Sequence, residues 1–120
     1  MSFIVYLDKI EELIKRKEYD KAWSEANFSL LELKKSNNDS WYMMYYQMAI
    51  ICAKEKKWLD ALCFMGYVIF YLKGCGISHE KFILRILKKI KKEDKISDFI
   101  ALSLAKSPKK FKNDLQILLN

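Results

Sequence analysis

The chain has 120 residues, 52% of them hydrophobic and 14% aromatic, with a formal net charge of +7. That length forms one domain with its own core, and the apolar content excludes a disordered chain. Three glycines and one proline exclude a turn-rich all-β fold, while three cysteines without a C-x-x-C spacing point to reduced thiols in a cytoplasmic protein.

Taken in order, Ser2 is placed to cap a first helix over Phe3–Lys17, with Ile4, Leu7, Ile10, Leu13 and Ile14 at helical spacing. The apolar start Met1–Leu7 meets Asp8 and Lys9 at once, so it lacks the length of a signal peptide. A turn at Arg16–Glu18 leads to a second helix, Tyr19–Lys35, with Ala22, Trp23, Ala26, Leu30 and Leu33 facing inward. Ser36-Asn37-Asn38-Asp39-Ser40 reads as a loop, because these side chains compete with helical backbone bonds. Asn38, Asp39 or Ser40 then caps a third helix, Trp41–Lys56. A fourth runs Trp58–Lys73 and stops at Gly74-Cys75-Gly76, where glycine can take the left-handed turn past a helix end. Trp58–Leu72 carries one charge, Asp60, in 15 residues. An all-round apolar helix is either a membrane span or core, and this one falls short of the ~20 residues a span needs.

Ser78 is expected to cap a fifth helix reaching about Lys92, with Ile83, Leu84, Leu87 and Ile90 on one side and Lys81, Arg85, Lys88 and Lys92 on another. A sixth helix covers about Asp94–Ala105. Ser107-Pro108 signals a seventh, Pro108–Leu119, with Phe111, Leu115, Leu118 and Leu119 as its apolar stripe. The expected fold is all-α, a single domain over 1–120.

Helix pairs at near-constant spacing call for a repeat test. The middle pair supplies Tyr45, Met48, Ala49 and Cys52, then Trp58, Ala61, Met65, Val68 and Ile69. The first pair aligns as Tyr6, Ile10 and Leu13, then Tyr19, Ala22, Ala26, Ser29 and Leu30. The third aligns as Ile83, Leu84 and Leu87, then Ile96, Ile100, Ser103 and Leu104. Tyr19-Asp20-Lys21-Ala22 and Trp58-Leu59-Asp60-Ala61 both place alanine three residues after an aromatic at the start of a second helix. This pattern resembles the tetratricopeptide repeat, a helix–turn–helix unit of about 34 residues. The anchors Ala22, Ala61 and Ile96 lie 39 and 35 residues apart, and the Ser36–Ser40 loop takes up the excess. The chain departs from the pattern at Lys9, at a usually apolar position, and at Lys17, Lys56 and Lys91, where the repeat has glycine. Its third unit lacks both the aromatic and the alanine.

The resemblance implies repeats over 3–35, 41–74 and 78–106, a capping helix over 108–119, and stacking as a short right-handed superhelix; an unrelated helical bundle is the alternative. It also implies a non-catalytic module that binds a peptide or helix of another protein in a concave groove. Carried across by position, the groove residues are Ile4, Leu7, Glu11 and Ile14; then Met43, Tyr46, Ile50 and Ala53; then Lys81, Arg85, Lys88 and Lys89. The ligand would be partly apolar and partly acidic, with Met43, Tyr46, Ile50, Lys81, Arg85, Lys88 and Lys89 as its principal contacts. Trp41, Tyr42, Met44 and Tyr45 add apolar surface on further faces of the third helix, which suits a partner or a homodimer.

Charge is uneven. Residues 1–60 hold 10 basic and 10 acidic side chains and residues 61–120 hold 12 and 5, so the net charge belongs to the second half. Lys88, Lys89, Lys91, Lys92 and Lys95, then Lys106, Lys109, Lys110 and Lys112, could face phosphates, which makes nucleic-acid binding the alternative function. Only Arg16 and Arg85 are arginines, and the aromatics cluster elsewhere, which argues against base reading and stacking. No catalytic constellation or cofactor site is expected. The one histidine, His79, reads as a surface residue in a first helical turn, and Cys75-x3-His79 is half a zinc spacing.

Overall fold

The structure is a computed structural model that describes residues 3–120, so the Ser2 cap lies outside the described residues. Every regular element described is helical: α1 (Phe3–Lys15), α2 (Tyr19–Lys35), α3 (Met44–Lys54), α4 (Trp58–Leu72), α5 (Ile77–Lys89), α6 (Ile96–Ala105) and α7 (Pro108–Leu119). One-turn 3-10 segments, Trp41–Met43 and Glu93–Lys95, lead into α3 and α6. No helix is long and apolar enough to cross a membrane among the described residues.

Two antiparallel hairpins form the first half. Tyr6, early in α1, meets Phe28, late in α2, and Lys9 pairs with Glu25 at 3.3 Å. Tyr45, early in α3, meets Tyr67, late in α4. Both hairpins turn the same way. Lys17 and Lys56 adopt the left-handed conformation, with φ near 60°, just past a helix end. The next amide reaches back to close the helix: Glu18 N–H donates to the Leu13 carbonyl and Lys57 N–H to that of Cys52. Lys91 and Asn37 do likewise after α5 and α2. The departures from turn glycine at Lys17, Lys56 and Lys91 therefore mark left-handed turns in which lysine stands in glycine's conformation. A side chain there costs about 1–2 kcal/mol. We expect Lys56→Gly to raise unfolding stability by up to about 1 kcal/mol once the added freedom of the unfolded chain is offset. Urea unfolding measures this, and a loss of stability would exclude it.

Several boundaries move. Lys73, not Gly74, takes the left-handed position after α4, and no glycine has positive φ. The cap of α5 is Gly76 rather than Ser78, and α5 ends at Lys89 rather than Lys92. The third helix begins with the tighter 3-10 turn, after Asn38 Oδ1 accepts the Ser40 amide at 2.8 Å. The Ser107-Pro108 start of α7 is as expected.

The core has two connected parts. Tyr6, Ile10, Ala22, Ala26 and Leu33 pack on Met44, Met48 and Ile51 between the first hairpin and α3. The other part surrounds α4, whose Ala61, Leu62, Met65, Val68 and Ile69 are fully buried. Helices α3, α5, α6 and α7 all pack on α4, while α5 and α6 touch each other little. The third pair is thus not a tight hairpin like the first two. On α6 the fully buried residues are Phe99 and the expected Ser103; Ile96 and Ile100 pack half-buried against the core, and Leu104 is exposed. Ser29 and Ser103, both buried, donate to the carbonyls one turn earlier, Glu25 and Phe99, so neither hydroxyl lacks a partner.

Glycine has one packing role. A Cβ on Gly66, mid-way along α4, would collide with the Phe111 ring, so the bare backbone gives α7 its seat. The radius of gyration, 14.0 Å, is close to the ~13.6 Å expected of a compact domain this size.

Candidate functional site

A cleft of about 310 Å³ opens where the C-terminal half of α3, the start of α4 and the middle of α5 converge. Ile50, Ala53, Trp58, Phe82 and Ile86 line it with apolar surface, and Lys54, Arg85 and Lys89 bring cations to it. Local sequence explains the arrangement. Ile50 and Lys54 are one turn apart on α3, while Phe82 and Ile86, then Arg85 and Lys89, repeat at i,i+4 on α5. The α3–α4 turn at Lys56 brings Trp58 up beside Ala53.

The cations are unspent. Among the described residues ion pairs join Lys9–Glu25, Arg16–Glu12, Lys21–Glu18, Lys35–Glu32, Lys57–Glu55, Lys106–Asp114 and Lys112–Asp60. None of those described pairs engages Lys54, Lys81, Arg85, Lys88 or Lys89. The Arg85 guanidinium lies 5.7 Å from the Phe82 ring centre, a cation–π contact that leaves its hydrogen-bond donors available. Lys88 and Lys89 also complement the C-terminal dipole of α5.

Of the expected contacts, the cleft gathers Ile50, Arg85 and Lys89, together with Ala53. Tyr46 is half-buried and serves packing: its ring lies edge-on to His79 at 4.9 Å and to Phe82 at 5.6 Å. Met43 ends the 3-10 turn, half-buried, and Lys81 and Lys88 are exposed on α5; none of the three lines the cleft. The α1 residues Ile4, Leu7, Glu11 and Ile14 also stand outside it. Lys54, Trp58, Phe82 and Ile86 are the lining residues that sequence reasoning did not assign to the site. Phe82 and Ile86 each stand three residues before a cation, Arg85 and Lys89, a signal present in the sequence.

The aromatic face expected to await a partner is largely spent on itself. Met44 is fully buried, while Trp41, Tyr42 and Tyr45 contact Tyr71, with Trp41–Tyr71 centres 4.8 Å apart. Lys34 Nζ sits 4.4 Å from the Trp41 ring centre. A second cleft, about 340 Å³, lies toward α2 among Asp20, Trp23, Cys52, Glu55, Lys57, Asp60 and Phe64. Its Glu55 and Asp60 are paired with Lys57 and Lys112, at 3.7 and 3.5 Å, so it has less charge to offer.

His79 is not on the surface. It is only 8% exposed, its Nδ1 has no hydrogen-bond partner, and burial lowers its pKa. Held neutral against Tyr46, it is part of the packing between α3 and α5. Because its folded pKa lies below the unfolded ~6.5, the unfolded chain binds the extra proton first. This contribution to stability is full above about pH 6.5 and is lost as pH falls through that value toward the folded pKa. We expect His79→Phe to flatten the stability profile below about pH 7, read by urea unfolding at each pH. An unchanged slope would remove His79 as the cause. Burial also pushes the Cys52 and Cys63 thiols up to about 11, which leaves them unreactive. Gln47, buried in α3, likewise has an unpaired Oε1.

No protein family, curated protein or solved structure matches this chain.

Proposed function

We propose that the chain is a non-catalytic, cytoplasmic, tetratricopeptide-like module that binds a peptide or helix of another protein in the α3–α4–α5 cleft. The ligand presents an apolar side chain to Ile50, Trp58 and Phe82 and a carboxylate to Arg85, Lys89 and Lys54. The observation that carries this reading is the juxtaposition of apolar floor and unpaired cations in one concavity. The repeat reading is supported by the two hairpins that share an aromatic-x-x-alanine start and a left-handed lysine turn. The stacking proposed for them is a short right-handed superhelix closed by α7.

The test is selection from a displayed random-peptide library on the folded protein, followed by competition with Ile50→Ala and Arg85→Glu variants. Enriched peptides should pair an aliphatic or aromatic residue with nearby Asp or Glu and lose binding to both variants. Enrichment of basic peptides, or binding indifferent to both variants, would overturn the assignment.

A second reading, single-stranded nucleic acid, is favoured by one observation: Trp58 and Phe82 do stand beside Lys54, Arg85 and Lys89. It requires a salt-sensitive gel shift that Arg85→Glu/Lys89→Glu abolishes; no shift at low salt ends it.

A further inference from the structure

We propose that the occupant of the α3–α4–α5 cleft is the outer face of α1 from a second copy of this chain, which assembles copies head to tail. This rests on the reading of the cleft as a binding site and names its partner.

The face has the chemistry the cleft asks for. Ile4 and Val5 are 65% and 49% exposed at the start of α1, large aliphatic groups that the fold leaves uncovered. One and two turns on, Asp8, Glu11 and Glu12 are exposed as well. Ile4 with Asp8, Ile4 with Glu11, and Asp8 with Glu12 are spaced to share that side of the helix. Lys9, the one cation between Phe3 and Ile14, is turned to Glu25 of α2. Glu12 bonds Arg16 at 3.1 Å, while no ion pair among the described residues engages Asp8 or Glu11. An apolar turn followed by free carboxylates thus stands on one end of the molecule. An apolar concavity edged by free cations stands elsewhere on it.

Face and cleft cannot meet within one chain. Tyr6 and Ile10 hold the opposite side of α1 in the core shared with α2 and α3, so Ile4, Asp8 and Glu11 point outward. The contact is also heterologous: the surface given is not the surface received. Such a contact extends into open chains unless the rotation closes a ring. Its charge pairs lie at an exposed rim, which makes association sensitive to salt.

Sedimentation velocity on the full chain across a concentration series tests the assembly. At low salt the average mass should climb past that of two chains, and about 0.5 M salt should weaken association about tenfold or more. Ile4→Ser/Glu11→Ser removes the face, and Arg85→Ser/Lys89→Ser removes the cationic rim; all four residues are exposed, so circular dichroism should show both variants folded. Each variant alone should remain a monomer. Mixed in equal amounts they should form a dimer and stop there, because each retains one working surface. A wild-type chain that stays monomeric, a variant that assembles alone, or a mixture that stays monomeric would overturn the proposal. A monomeric wild type that still binds the library-selected acidic-apolar peptides overturns self-assembly and leaves the cleft reading standing. Failure of peptide binding as well overturns both.

Discussion

Replacing Phe111 with alanine is expected to lower unfolding stability by about 3–5 kcal/mol, a large share of the ~5–15 kcal/mol available to a domain. Phe111 is 1% exposed and is the residue through which α7 enters the core. Its ring meets Tyr67 at 6.2 Å and Phe99 at 5.9 Å, both edge to face, and lies over Gly66. Truncation removes the buried area and leaves a void walled by three helices. Gly66→Ala tests the same contact from the other side. Helix propensity alone favours alanine by about 1 kcal/mol, but the added methyl must displace the ring, an overpacking cost of about 1–3 kcal/mol. The single change should therefore destabilise. In the Phe111→Ala background the methyl has room, and the same change should be neutral or stabilising. Urea unfolding of the four proteins measures this sign reversal. Additive effects would mean that the two residues do not share a contact.

The second large effect concerns the cleft. For a peptide selected on this protein, Ile50→Ala and Trp58→Ala should each weaken binding by about 2 kcal/mol, roughly thirtyfold, because desolvated apolar anchors dominate such interfaces. The loss should appear in the dissociation rate. Arg85→Glu and Lys89→Glu should act differently, slowing association and flattening its dependence on salt. Surface plasmon resonance at two ionic strengths separates the two patterns. If all four variants changed only the association rate, the apolar floor would have no part in binding.

Much of the fold was legible because the apolar spacing is strong. All seven helices stand within a few residues of where periodicity puts them, and the core role of Trp58–Leu72 follows from its single charge. Boundaries misled where one local signal outbid another. Ser78 looked like a cap, but α5 had already begun after Gly76. Gly74 looked like the turn residue, but Lys73 took that conformation. On α6 spacing placed Ile96, Ile100 and Ser103 but missed Phe99 and misplaced Leu104, because this helix packs on α4 and α7 instead of pairing closely with α5. The site was half legible. The repeat resemblance named Ile50, Arg85 and Lys89, which share a cleft, yet it could not show that Trp58, far along the chain from Arg85, closes the same concavity. Nor could it show that Tyr46 and His79 cover each other, since mutual burial is a property of the assembled helices.

The central place of α4 also shapes how the molecule comes apart. Helices α3, α5, α6 and α7 each supply part of the wall around it, so losing any one bares residues on which the others rest. Opening at that end is therefore coupled, and the backbone amides of α4 should exchange with solvent only when the whole domain unfolds. Helix α1 stands at the other extreme. It rests mainly on α2, and its departure leaves the surroundings of α4 intact. The chain thus carries a gradient of local stability, highest at its centre and lowest at its N-terminal helix.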